Sequence, residues 1–156
     1  MQDPTAPQET GALIDHILLR YHDTHREELA WLVSLARRIE TVHADHPAVP
    51  RGLGDLLAAL HEDMEEEMQR EEDEIFPLMR EPGARLPGAV LARMRADHRR
   101  HDESLARVAG LTGGLALPGD ACRSWSALYA ALAAFGDDLR AHLALEDEVL
   151  LPRFAA

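Results

Sequence analysis

The sequence predicts an all-α fold, an up-down-up-down antiparallel four-helix bundle, and three observations predict it. Apolar residues make up 46% of the 156 and aromatic residues only 4%, with Ala and Leu abundant and strand-favouring residues scarce. Three breaks, at residues 45–52, 81–88 and 113–120, each combine proline with glycine, the strongest local punctuation a chain carries. The stretches between them, roughly 25 to 37 residues each, carry apolar stripes at alternating steps of three and four, the period of a helix packed on one face. Connections this short make consecutive helices antiparallel neighbours.

Residues 1–10 are polar with two prolines and read as a flexible lead-in to a domain over 11–156. The first helix places Leu18, His22, His25, Leu29, Leu32, Ala36 and Ile39 on its inner stripe. The second places Leu53, Leu57, Leu60, Met64, Glu67, Glu71, Ile75 and Leu78 there. The third uses Leu91, Met94, His98, His101, Leu105 and Val108. The fourth uses Trp125, Leu128, Leu132, Phe135, Leu139, His142, Glu146 and Val149. Asp120 is placed to cap the start of the fourth helix.

Charge and composition exclude several function classes. With 16 basic against 28 acidic residues the formal net charge is −12, which repels phosphate backbones and argues against nucleic acid. No apolar run approaches the roughly 20 residues of a membrane span. Cys122 is the single cysteine, so neither an internal disulfide framework nor a cysteine-based zinc site is available. A cytoplasmic setting is expected.

Every stripe is interrupted, and always by His or Glu. An unpaired buried carboxylate costs several kcal/mol, so compensation must come from a cation, a hydrogen-bond network or water. A lone polar residue on one stripe is more often a satisfied core group than a ligand. Depth separates the two cases. Counted from the end that gathers the starts of helices one and three and the finishes of two and four, the interruptions agree within about 5 Å at 1.5 Å per residue. They form one layer roughly 16 Å below that end.

The residue types then select the metal. Imidazole and carboxylate without thiolate suit iron, manganese or zinc. The surplus of donors favours two metals over one, in the manner of carboxylate-bridged pairs in bundle cores. Residues 142–152 align without a gap on residues 67–77, bringing His142 opposite Glu67, Glu146 opposite Glu71 and Pro152 opposite Pro77. Spacing of four stacks each pair on one helix face, so both members reach the same layer.

Several segments together resemble the hemerythrin-like HHE domain, in particular the C-terminal domain of repair-of-iron-centres proteins. They are Leu13-Ile-Asp-His-Ile17, Arg20-Tyr-His-Asp-Thr-His-Arg-Glu27, Val42-His-Ala-Asp45, Glu71-Glu-Asp-Glu-Ile-Phe-Pro77, Ala121-Cys-Arg-Ser-Trp125 and the 142–152 stretch. The resemblance runs from about Gly11 to the end. It implies a non-haem di-iron centre, oxo- or hydroxo-bridged, with manganese or zinc as possible substitutes. Carried over, the ligands are His22, His98 and His142 with Glu71 and Glu146 as bridges.

The resemblance implies iron donation and repair of iron–sulfur clusters under nitrosative or oxidative stress. Dioxygen, nitric oxide or peroxide would be small ligands, and apo iron–sulfur proteins would be partners. An O2- or NO-binding module without catalysis and a di-iron oxidase or peroxidase are the alternatives. The position of the family's fourth His is Glu67 here, and either Glu67 itself or His101, one turn beyond His98, completes the second metal, or the site holds a single metal. Full-length repair proteins also carry a small N-terminal domain with paired cysteines, and any function needing those thiols is expected to come from a partner or to be absent.

His25 is expected beside the layer rather than in it, and His16, His43, His46 and His61 at the surface. Asp97 is expected to orient an imidazole or line an iron path. The run 62–74 is a solvated acidic face apart from Glu67 and Glu71. Tyr21 and Tyr129 are both candidates to line the site.

Overall fold

The computed structural model describes residues 3–155; residues 1, 2 and 156 of the expected lead-in and domain lie outside it. The described chain is all-helical. Helix α1 runs through Thr10–His16, a π-helical stretch Ile17–His22, and Asp23–Val42. Helix α2 comprises Leu53–Arg70, a π-helical Glu71–Ile75 and Phe76–Met79. Helix α3 is Gly88–Leu111. Helix α4 comprises Arg123–Leu145, a π-helical Glu146–Leu150 and a closing 3-10 turn Leu151–Phe154. Each helix packs on its two neighbours around the bundle, α1 on α2 and α4, α3 on α2 and α4.

The helix starts are fixed by local chemistry. Glu9 accepts from the backbone N–H groups of Gly11 (2.9 Å) and Ala12 (2.7 Å) and so caps α1. The start of α2 is capped from a neighbouring helix. Glu40 accepts from Gly52 N (2.5 Å) and Gly54 N (2.9 Å), satisfying donors that a helix start leaves open. Gly54 lies where α1 and α2 approach closely, since a Cβ there would sit 2.5 Å from Arg37 Cγ. The cap of α4 is Cys122, whose Sγ accepts from Trp125 N, rather than the expected Asp120. Asp120 instead accepts from His46 Nε2 at 3.0 Å.

Two apolar clusters fill the interior. One contains Leu13, Ile17, Tyr21, Phe76, Met79, Met94, Leu150 and Phe154. The other contains Leu29, Leu32, Leu57, Leu60, Met64, Leu105, Trp125, Leu132 and Phe135. Along every helix the switch from one cluster to the other falls at the His/Glu interruptions, which form the expected layer near one end.

The π-helical stretches correct the inner stripe. Each adds a residue to one turn and rotates the rest of its helix by about one position. Leu78, expected inside, is 55% exposed and Met79 is buried in its place. In α4 Leu150 is fully buried and Val149 only partly. In α1 Ile17 is fully buried and Leu18 only partly.

Two of these stretches have a visible cause. Pro77 and Pro152 lack an N–H and their rings press on the carbonyl four residues back. The preceding turn widens, and Phe76 N–H reaches Glu71 O while Leu151 N–H reaches Glu146 O. Met79→Ala therefore costs about 2–5 kcal/mol, whereas Leu78→Ala stays within about 0.5 kcal/mol. Urea unfolding of both variants checks this ordering.

Candidate metal centre

Six His and Glu side chains meet in one buried layer: His22 from α1, Glu67 and Glu71 from α2, His98 from α3, and His142 and Glu146 from α4. None is more than 5% exposed. They fall into two groups whose donor atoms all lie within 4.8 Å of one another, His22/His142/Glu146 and Glu67/Glu71/His98. The two central carboxylates reach across both. Glu146 places Oε1 at 3.2 Å from His142 Nε2 and Oε2 at 3.1 Å from His98 Nε2. Glu71 Oε2 lies 3.4 Å from His22 Nε2, while its Oε1 has no hydrogen-bond partner.

The π turns aim these groups. His22 closes one such stretch, and Glu71 and Glu146 each open another. Widened turns of this kind occur frequently at functional sites.

Two imidazoles are held by carboxylates on their outer side. His22 Nδ1 donates to Glu72 Oε1 at 2.8 Å, and His98 Nδ1 donates to Asp147 Oδ1 at 2.9 Å. This fixes the ring orientation and turns each Nε2 toward the layer's centre. His22 Nε2 and His98 Nε2, together with Glu67 Oε1, Glu71 Oε1 and His142 Nδ1, are buried without a hydrogen-bond partner. Buried polar atoms are normally satisfied, and carboxylate–imidazole–metal chains have this arrangement. The donor set, with nitrogen and oxygen and no sulfur, fits iron, manganese or zinc.

Electrostatics point the same way. Burial, with Glu146 and Glu67 alongside, pushes the Glu71 carboxyl well above its usual 4.5. In Glu146 burial also works upward, but His142 and His98 outweigh it and hold the carboxyl well below that value. Burial of Glu67 is likewise overcome by the hydrogen bond from His101 and the nearness of His98, which bring it down to about 2. Burial would lower His98, but Asp147, Glu146 and Glu67 raise it far above its usual 6.5. Protons on Glu71 and His98 thus balance part of the charge that a cation could balance instead.

The remaining sequence candidates divide. His101 is buried and donates through Nε2 to Glu67 Oε2, one turn beyond the groups that converge. His25 is fully buried with both ring nitrogens unpartnered, its ring 5.2 Å from that of His142. Burial and the neighbouring His142 and His22 pull it down to about 2, so it is neutral.

Tyr21 lines the layer. Its ring stacks on His142 at 5.0 Å and 7°, and its hydroxyl donates to Asp3 Oδ2 at 2.8 Å. Tyr129 lies in the other cluster against Trp125. Asp97 is buried but is held by Arg70 Nη2 (2.5 Å) and Arg100 Nη2 (2.7 Å); Asp147 orients His98 instead. His43 and His46, expected at the surface, are half-buried with their rings against Trp125.

Glu72 and Asp147 are what sequence reasoning missed. Each directly follows a central Glu at matching places of the internal repeat, which was the available signal. As straight α-helix these positions face outward, and the π turn swings them onto the imidazoles. Glu72→Ala and Asp147→Ala should each lower metal affinity about 10–100-fold, measured by competition with a chromogenic chelator.

Residues 13–154 match the family model of the hemerythrin HHE cation binding domain. Similar proteins include the iron-sulfur cluster repair protein YtfE of Salmonella paratyphi B and that of Salmonella newport, each 40% identical over 144 residues. The match takes in 92% of this chain and 66% of each relative, so the chain spans less than two thirds of their length. No helix among the described residues is long and apolar enough to cross a membrane.

Proposed function

Because the chain belongs to the hemerythrin HHE cation-binding domain family, we propose that its His/Glu layer holds two non-haem irons and donates iron in the repair of iron–sulfur clusters. Glu71 and Glu146 would be the carboxylates shared by the two metals in this reading. His22 and His142 complete one half, and His98 and Glu67 the other. His101 stands behind Glu67 as its hydrogen-bond donor rather than as a ligand. The observation that carries the reading is the set of buried, unpartnered donor atoms in two groups that share one layer. The relatives named for cluster repair support the role.

Bound iron would supply exchangeable metal and redox chemistry. The protein's own part is to orient and to protect. Glu72 and Asp147 hold each imidazole with its Nε2 turned toward the centre. The two apolar clusters exclude water from both sides. Tyr21 covers the face of His142 and is itself tied to Asp3. Damaged apo iron–sulfur proteins are the proposed recipients, and a cytoplasmic setting accords with the free thiol of Cys122.

The test is to mix iron-loaded protein with an iron–sulfur enzyme whose cluster nitric oxide has destroyed, together with sulfide and reductant. Recovery of the enzyme faster than with the same amount of free iron supports donation. Recovery no faster than with free iron contradicts it.

Complete burial of the layer favours a second reading, in which O2, NO or peroxide enters and binds without iron leaving. Optical titration of the ferrous protein with nitric oxide distinguishes the two. Stoichiometric binding with full iron retention supports this second reading.

A further inference from the structure

The layer has an approximate internal twofold, with α1 answering α3 and α2 answering α4. His22 corresponds to His98, His25 to His101, Glu71 to Glu146, and Glu72 to Asp147. The correspondence extends to contacts. Glu72 holds His22 Nδ1 at 2.8 Å as Asp147 holds His98 Nδ1 at 2.9 Å. Glu71 reaches His22 Nε2 at 3.4 Å as Glu146 reaches His98 Nε2 at 3.1 Å. The two donor groups map onto each other residue by residue, His22/Glu146/His142 onto His98/Glu71/Glu67. At one pair the chemistry changes, His142 on one side and Glu67 on the other.

The change extends outward. Beside His142 stands His25, an imidazole with both nitrogens unpartnered and its ring 5.2 Å away. Beside Glu67 stands His101, whose Nε2 donates to Glu67 Oε2. That bond occupies one carboxylate oxygen. Glu67 Oε1 is left without a hydrogen-bond partner, 3.1 Å from His98 Nε2. His101 is therefore a positioning residue that fixes Glu67 to present a single oxygen. With Glu71 and Glu146 shared, one half offers two imidazoles and two carboxylates, and the other offers one imidazole and three carboxylates. Imidazole suits iron and the later divalent metals, whereas carboxylate suits manganese and other hard cations.

We propose that the two halves are built for unequal cations: the Glu67/Glu71/His98 half admits a harder divalent ion such as manganese(II), while the His22/His142/Glu146 half keeps iron. The inference rests on the two-metal reading of the layer. Both halves bind iron more tightly than manganese in the general order of divalent affinities. The oxygen-rich half discriminates less, so manganese accumulates there when the two compete.

Metal-free full chain is equilibrated without oxygen in excess iron(II) and manganese(II), then crystallised. Anomalous differences collected at the iron and manganese edges give the occupancy of each half separately. The expected manganese-to-iron ratio is on the order of tenfold higher in the Glu67 half, equivalent to ~1.4 kcal/mol of differential binding. Glu67→His should bring the two ratios together, and His101→Ala, which frees the second oxygen of Glu67, should change the ratio only in its own half. Equal ratios in the wild-type halves, or manganese in neither, overturn the inference and leave the two-metal reading standing. Absence of both metals from the layer overturns that reading and the inference with it. The wild-type measurement decides by itself if a variant fails to fold.

Discussion

Glu71→Gln makes the metal-free protein more stable above neutral pH while weakening its hold on metal. Glu71 is 1% exposed, and burial with Glu146 and Glu67 nearby raises its carboxyl well above 4.5. A carboxyl raised on folding contributes stability that is fully present below its unfolded value, near 4.5, and is lost as pH climbs through the folded value. Glutamine keeps the shape of the protonated acid and has no proton to lose. The advantage of the variant grows with pH, since each unit by which a pKa differs between the folded and unfolded states corresponds to about 1.4 kcal/mol. Urea unfolding in the presence of chelator at pH 5 and pH 8 checks it. The variant should match wild type at the lower pH and exceed it at the higher one. Added iron should then stabilise wild type far more than the variant, since ligand at 100 times its Kd contributes about 2.7 kcal/mol.

Glu146→Ala should empty both halves of the centre at once. Its two oxygens divide between the halves, Oε1 toward His142 and Oε2 toward His98, so its removal takes a ligand from each side at once. The loss exceeds the roughly 10–100-fold expected when only an outer carboxylate is removed, and metal retained after desalting should fall below one ion per chain. Glu67→Ala provides the contrast, because Glu67 belongs to a single half and its removal should leave the His22/His142 half occupied. Metal analysis of the two variants side by side reads the difference. Equal retention in both would show that Glu146 is not shared.

Much of this centre is written in the spacing of the chain. Counting residues from one end puts His22, Glu67, Glu71, His98, His142 and Glu146 at a common depth, and the structure brings all six together. That succeeds because helical rise is nearly constant, so depth survives even when the face is misjudged. Face is more fragile. Leu78 falls inside by period yet points out, because the Glu71–Ile75 turn carries an extra residue that a uniform period of 3.6 does not contain. Glu72 and Asp147 look solvated in the sequence for the same reason. Proline six residues beyond each central Glu marks two of these turns, while the Ile17–His22 stretch in α1 has no such marker. The choice between Glu67 and His101 is not legible either. Both sit on inner stripes, and only their mutual contact shows that one holds the other. The cap of α4 depends on which of two neighbouring side chains reaches a backbone amide, Asp120 or Cys122.

The most direct test of the two-metal layer is iron stoichiometry combined with Mössbauer spectroscopy on protein loaded anaerobically with 57Fe(II) and then oxidised. Two irons per chain, magnetically coupled as in paired-metal sites, are predicted, with both lost on Glu146→Ala. A single uncoupled iron, or protein that stays metal-free in excess iron, would contradict the account.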